Sequence, residues 1–213
     1  MSNHINTREL AKQRRQEVIL NKAEELFLRK GIENTTMNDI AQEAGIGIAT
    51  LFRYFQKKEK IIITIATSKL NNLLISFKEI EEKPISCVEK LTLIFDFFIA
   101  QTKEQNAALP KILNNFINYA AVFHDTFEDI DMYTEVHKDT AAVFLRIIKE
   151  GETDGTIRSD IEITSYLSTI FSNFSMFTFQ LPMKSSTGLI EPELPSEDQL
   201  RIMKTIFLDY LKA

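Results

Sequence analysis

Apolar residues recur every three or four positions along almost the whole chain, and no stretch keeps up the alternation of a half-buried strand. The pattern predicts an all-α protein of about nine helices. The first spans 7–30, with Ile19, Ala23, Phe27 and Leu28 on one side, Thr7 as N-cap and Gly31 as stop. A short second helix begins near Met37, behind Thr35 and Thr36, both N-cap residue types. Its Met37, Ile40, Ala41 and Ala44 fall at i, i+3, i+4 and i+7, and Gly45 ends it. Ile46 and Gly47 make a turn, and a third helix starts near Ile48 with Leu51, Phe52 and Phe55 on its buried side.

A fourth helix runs from 58 to about 83, with Leu70, Leu73, Leu74 and Phe77 on one side and Pro84 as its close. It joins the first part of the chain to the rest with no flexible linker. A fifth, 85–105, carries Leu91, Ile94, Phe95 and Phe98. Pro110 suits the first turn of a sixth, whose Ile112, Phe116, Tyr119, Ala120 and Phe123 face inward. Gly151 and Gly155 are expected to terminate a seventh, and an eighth covers 163–179. A polar loop follows at 182–195, and a ninth helix at 196–212 opens on Ser196, Glu197, Asp198 and Gln199 as its cap. The eighth helix, with Tyr166, Leu167, Ile170, Phe171 and Phe174, has more apolar surface than one neighbour covers. Leu200, Met203, Phe207 and Tyr210 or Leu211 give the ninth a similar stripe.

Composition, at 44% hydrophobic and 26% charged, is that of an ordinary globular protein. A net charge of −5 argues against a nucleic-acid partner until the chain is divided. Residues 1–60 hold 11 Lys and Arg against 8 Asp and Glu, and residues 61–213 hold 14 against 22. The basic excess therefore sits with the first three helices, as in a DNA-binding head on an acidic body. Lys12, Arg14 and Arg15 crowd the start of the first helix, where the helix dipole prefers acids; a nearby phosphate accounts for that placement. Cys87 stands alone, so no intramolecular disulfide forms. Neither a signal peptide nor a membrane-length apolar window is visible, and a cytoplasmic location is expected. His4, His124 and His137 lack metal-ligand spacing, and no phosphate-binding, nucleophile-elbow or dinucleotide motif occurs. No metal, cofactor or enzymatic activity is expected.

Two helices joined by a tight glycine-bearing turn form the helix-turn-helix pattern, whose second helix enters the major groove in DNA-binding proteins. Residues 35–61, TTMNDIAQEAGIGIATLFRYFQKKEKI, resemble the N-terminal DNA-binding signature of the TetR family of transcriptional repressors. That signature runs roughly T-T-V-x-D-I-A-x-x-A-G-V-S-x-G-T-L-Y-x-Y-F-x-S-K-E-x-L. Thr35, Thr36, Asp39, Ile40, Ala41, Ala44, Gly45, Thr50, Leu51, Tyr54, Phe55, Lys58 and Glu59 match it. Gly47 stands where Ser is usual, Ala49 for Gly, Phe52 for Tyr and Lys57 for Ser. The turn G-E-T-D-G-T-I-R at 151–158 is also similar to what relatives carry there.

The resemblance implies a DNA-binding head at 1–57 and a helical ligand-binding and dimerisation domain at 58–213. Base readout then falls to Ile48, Ala49, Thr50 and Arg53 at the turn that Gly47 makes, since an arginine fork suits guanine and small apolar groups suit a thymine methyl. The matching family positions place Thr36, Tyr54 and Lys58 on phosphates, and Lys57 adds a second ammonium that offsets the tyrosine hydroxyl missing at Phe52. In the family, helices four to eight enclose an effector cavity. Phe95, Phe98, Asn115, Phe116, Tyr119, Phe123 and Phe174 suit an apolar or aromatic ligand, with Asn118 and His124 as further polar contacts. The last two helices pair in the family's dimer, which places Tyr166, Ile170, Met203, Phe207 and Tyr210 at that interface. The expected partners are a palindromic DNA duplex, a second copy of the chain and a small-molecule effector, with no membrane. The alternative is a protein-binding or structural module that has kept the fold and lost specific DNA recognition, which Gly47 and Phe52 permit.

Overall fold

A computed structural model describes residues 7–103, 106–123, 127–158, 160, 162–186 and 195–212, with backbone alone at 164, 167, 179–186 and 196. Among these lie nine helices: α1 (Thr7–Lys30), α2 (Met37–Glu43), α3 (Ile48–Tyr54), α4 (Lys58–Glu81), α5 (Cys87–Ala100), α6 (Ala108–Val122), α7 (Ile130–Asp154), α8 (Ile163–Ser186) and α9 (Ser196–Leu211). Apart from one isolated bridge, Ile157 to Lys212, no strand pairing occurs among the described residues. The fold is all-α, as the spacing predicts. The chain forms two compact units. One takes the described residues up to Ser68 together with Asn115–Tyr133, and the other takes Lys69–Asn114 and the described residues from Thr134 onward.

The first unit is built by local signals that read cleanly. Gly31 follows α1 at φ +83°, a conformation that costs glycine nothing. The Thr35 hydroxyl donates back to the Gly31 carbonyl at 2.7 Å, which leaves Thr36 as the cap of α2. The Thr36 hydroxyl accepts from the Asp39 N–H at 3.2 Å while the Asp39 carboxylate accepts from the Thr36 N–H at 2.8 Å, a reciprocal capping box. A 2.7 Å pair with Lys30, together with the Thr36 donors, holds the Asp39 carboxyl far below the ordinary range. At the other end Gly45, at φ +64°, donates to the Gln42 carbonyl and Ile46 donates to that of Ala41. These two bonds form a Schellman close. Ile19, Ala23, Leu26, Phe27, Ile40, Ala41, Leu51 and Phe55 are buried together as the core.

The second unit is organised by aromatic packing. Phe77 meets Phe98 at 5.7 Å and Phe97 at 5.8 Å, both edge to face, and Phe98 meets Phe171 at 5.6 Å. Phe95 lies 4.7 Å from Phe174. Several expected boundaries move. α5 starts at Cys87 because Ser86 and Glu89 form a second capping box, and it ends at Ala100 where the pattern suggested 105. Gly151 does not terminate α7. It lies inside the helix against α5, and a Cβ there would come within 2.7 Å of the Cys87 Cβ and Sγ. Gly155, at φ +76°, ends the helix alone. α8 runs on to Ser186 and so takes in the first part of the stretch expected as a loop from 182, while 187–194 lie outside the described residues. Pro195, not Ser196, caps α9, with its carbonyl accepting from the N–H groups of Asp198 and Gln199.

Candidate nucleic-acid interface

α3 is set in place by two anchors and little else. Leu51 and Phe55, 0% and 1% exposed, fix its inner side in the first unit. Gly47 sits at the N-cap with φ −70° and ψ 147°, supplies no side-chain cap, and accepts from the N–H groups of Thr50 and Leu51. The outer side presents Ile48, Ala49, Phe52 and Arg53. This corrects the expectation for Phe52, which is 46% exposed and lies outside the core. Positions 48, 51, 52 and 55 all satisfy helical spacing, and the pair actually buried is 51 and 55, rotated one residue away from Phe52.

Between the first half of α1 and α3 opens a cleft of about 640 Å³ lined by Arg8, Glu9, Ala11, Lys12, Arg15, Thr50, Arg53 and Tyr54. Arg8, Lys12 and Arg15 fall at i, i+4 and i+7, one face of a helix. With Arg53 from α3 they place four cations against one carboxylate. The Arg53 guanidinium also donates to the Thr50 hydroxyl at 3.4 Å, aligning the two along the helix surface. Lys12 and Arg15 thus meet the face that the sequence assigned to DNA. Arg8 escaped that reading, although its spacing from Lys12 carried the signal. Arg14 lines a second concavity of about 430 Å³ with Leu10, Val18 and Ala44.

The remaining phosphate candidates divide. Lys57 is exposed and pairs with Glu128 at 2.8 Å, and neighbouring Lys60 pairs with Asp129 at 3.1 Å. The Lys57 ammonium in turn holds the Glu128 carboxyl below its ordinary range. Lys58 turns inward, contrary to expectation. Its ammonium donates to the Ile32 carbonyl at 2.8 Å and lies 5.4 Å from the centre of the Tyr119 ring. Burial lowers its proton affinity, as expected for a cation removed from water. Tyr119 also donates to the Glu59 carboxylate at 2.6 Å, so the start of α4 is tied to α6 at this point. Thr36 spends its hydroxyl on the α2 cap.

The seven residues expected around an effector are divided between the two units. Phe95, Phe98 and Phe174 are buried in ring contact in the second unit. In the first unit Tyr119 stacks on Phe123 at 5.5 Å, Phe116 lies 4.9 Å from Tyr133, and Asn115 is half-buried nearby in sequence. Asn118 is exposed, and His124 lies outside the described residues. Of the five interface candidates, Ile170 is buried within the chain at 3% and has no surface to offer a partner. Phe207 is half-buried against Phe95 and Phe174, and Met203 is half-buried. Tyr166 stacks on Tyr210 at 4.5 Å, under the Arg158 guanidinium. Among the described residues, Met176 and Phe177 on α8 and Ile202 and Ile206 on α9 are exposed and apolar. The spacing of Ile202, Ile206 and Tyr210 at i, i+4 and i+8 carries this exposed stripe in the sequence. The side chain of Leu167 lies outside the described residues. No helix among the described residues is long and apolar enough to cross a membrane.

Residues 19–65, which contain the whole of α2 and α3, match the family model described as "Bacterial regulatory proteins, tetR family". An HTH-type transcriptional regulator of Staphylococcus aureus (strain bovine RF122 / ET3-1) is 30% identical over 161 residues, covering 75% of this chain and 78% of that protein. Among solved structures, a putative transcriptional regulator from Saccharomonospora viridis in complex with choline aligns at TM-score 0.72 and 17% identity, over 92% of this chain and 95% of that one. The regulator FadR from Bacillus subtilis, in complex with stearoyl-CoA, aligns at TM-score 0.69 and 18% identity, over 92% and 98%. At those identities the two structures speak for the fold, whereas the sequence relative and the matched helix-turn-helix speak for kinship: the chain belongs to the tetR family of DNA-binding transcriptional regulators.

Proposed function

We propose that the protein is a homodimeric repressor that holds a near-palindromic operator and leaves it when a small apolar or aromatic effector binds. The observation that carries this reading is the cleft between α1 and α3, where Arg8, Lys12, Arg15 and Arg53 line one concave face beside the outer side of α3. A polyanion answers that arrangement, because each phosphate neutralised releases counterions. Base readout is assigned to Ile48, Ala49, Thr50 and Arg53 around the Gly47 turn, and backbone positioning to Thr36, Tyr54 and Lys57. Lys58 is assigned to holding α4, since its half-buried ammonium faces inward onto the Ile32 carbonyl and the Tyr119 ring, whereas Lys57 is exposed. The functional division remains 1–57 for DNA and 58–213 for effector and dimer.

A dimer is supported by Met176, Phe177, Ile202, Ile206 and Tyr210, which are 40% to 58% exposed. A two-fold pair of heads then addresses half-sites about 34–36 Å apart, or another separation that matches the grooves. An effector is supported by the aromatic richness around Phe95, Phe98 and Phe174, and by the choline and stearoyl-CoA complexes of proteins with this fold. Binding would shift the population towards a head spacing that no longer fits. Selection of bound duplexes from a random-sequence pool tests the reading. A palindrome whose affinity falls steeply with salt is the expected result, followed by release when apolar and aromatic compounds are titrated into the complex. No salt-sensitive binding at all would overturn it in favour of the protein-binding module.

A further inference from the structure

We infer that Ile48 and Phe52 form an apolar edge on α3 that recognises the 5-methyl groups of thymine, which makes Phe52 a specificity-determining residue. The inference rests on the DNA reading above and adds the chemistry that α3 selects. The two side chains are 36% and 46% exposed and lie one helical turn apart, with exposed Ala49 beside Ile48. Their inner neighbours Leu51 and Phe55 already fill the core, so the fold itself does not require a large apolar group at 48 or 52.

Charge complementarity chooses the occupant of this edge. Arg53 adjoins it in sequence, and Arg8, Lys12 and Arg15 line the cleft that α3 shares with α1. Four cations in that cleft favour a polyanion over an apolar protein surface. A phenylalanine ring has no hydroxyl to donate to a phosphate oxygen, so against DNA it contributes contact area alone. The major-groove edges display one apolar group, the methyl at C5 of thymine, and apolar side chains pair with it. Against the other bases the ring would desolvate polar edges without returning a hydrogen bond.

The test uses the full chain and the duplex recovered by selection, with each thymine replaced in turn by deoxyuridine, which removes the methyl and leaves every hydrogen-bonding group. Affinity of the wild type is expected to fall about fourfold for each contacted methyl, the equivalent of one buried carbon. In Phe52→Ala that thymine-to-uracil ratio should collapse towards one at the position Phe52 touches, while Phe52→Leu keeps part of it. A circular dichroism spectrum confirms that the variants are folded. Equal binding of thymine and uracil duplexes by the wild type at every position overturns the inference and leaves the DNA reading intact. So does a Phe52→Ala variant that loses the same factor against both duplexes. Failure to recover any sequence overturns the DNA reading, and this inference with it.

Discussion

α3 and α5 are both short helices, and they are built to opposite ends. α5 buries seven of its fourteen residues, Cys87, Lys90, Leu91, Ile94, Phe95, Phe98 and Ile99, and opens on a complete capping box. Even its buried lysine is satisfied, since the Lys90 ammonium donates to both Glu150 oxygens at 2.8 and 3.0 Å. α3 buries only Leu51 among its seven residues and has no side-chain cap. Each carries phenylalanine, yet Phe98 is 2% exposed and Phe52 is 46% exposed. The same residue type is spent on the interior in one case and held out to solvent in the other. A helix that contributes so little to its own core, and exposes apolar and cationic groups side by side, is shaped by something outside the chain.

The sharpest way to break that contrast is to make one substitution in both helices. Phe98→Ala removes a ring that meets four others and should cost about 3–5 kcal/mol of stability in urea denaturation. Phe52→Ala should stay within about 0.5 kcal/mol by the same measurement. Comparable losses would mean that α3 is a packing element after all. Arg53→Ala is the converse: about 1–3 kcal/mol of operator affinity in a gel-shift titration if it forks onto a guanine, with the denaturation midpoint unchanged. Gly151→Ala probes how tightly α5 is packed from behind, and overfilling the contact with Cys87 should lower stability by about 1–3 kcal/mol. Ser86→Ala removes the hydroxyl cap of α5 and should cost about 1 kcal/mol.

The smallest effect is a pH dependence at that cap. The Ser86 hydroxyl and then the Ser86 N–H hold the Glu89 carboxyl below its ordinary range. The unfolded chain therefore takes up this proton more readily than the folded one, and acidification favours unfolding. The stability difference between wild type and Glu89→Gln should be full at neutral pH and shrink as pH falls below about 4.5. A difference that stays constant from pH 7 to well below that range would show that the charge on Glu89 adds nothing to the cap.

Much of this was legible in the sequence because the signals are local. Gly31 and Gly45 occupy left-handed positions, Thr36 caps through Asp39, and α1 ends at Lys30 as the spacing says, although Thr7 lies within the helix and is not its cap. Local signals fail where the deciding partner is distant. Gly151 reads as a helix stop, and only the approach of Cys87 from another helix shows it as a contact that tolerates no side chain. Lys58 reads as one more surface cation until the Ile32 carbonyl and Tyr119 are seen to hold it. Ile170 and Ile202 belong to equally apolar stripes, and which one faces outward depends on what packs alongside. The cleft required α1 and α3 together. Spacing within α1 gave its cations a common face but could not say what lay opposite them.

Cys87 carries a practical consequence. Its thiol is fully buried, and burial pushes its pKa up to about 12, so at neutral pH the reactive thiolate is scarce and out of reach. As the only cysteine in the sequence, it leaves the native protein a silent background for thiol-directed labelling. A single exposed replacement such as Gln42→Cys on α2 would then take a fluorophore or spin label by itself, with the packing around Gly151 left as it is. In a dimer, two such labels would turn head separation into a distance that can be read in solution, with and without DNA.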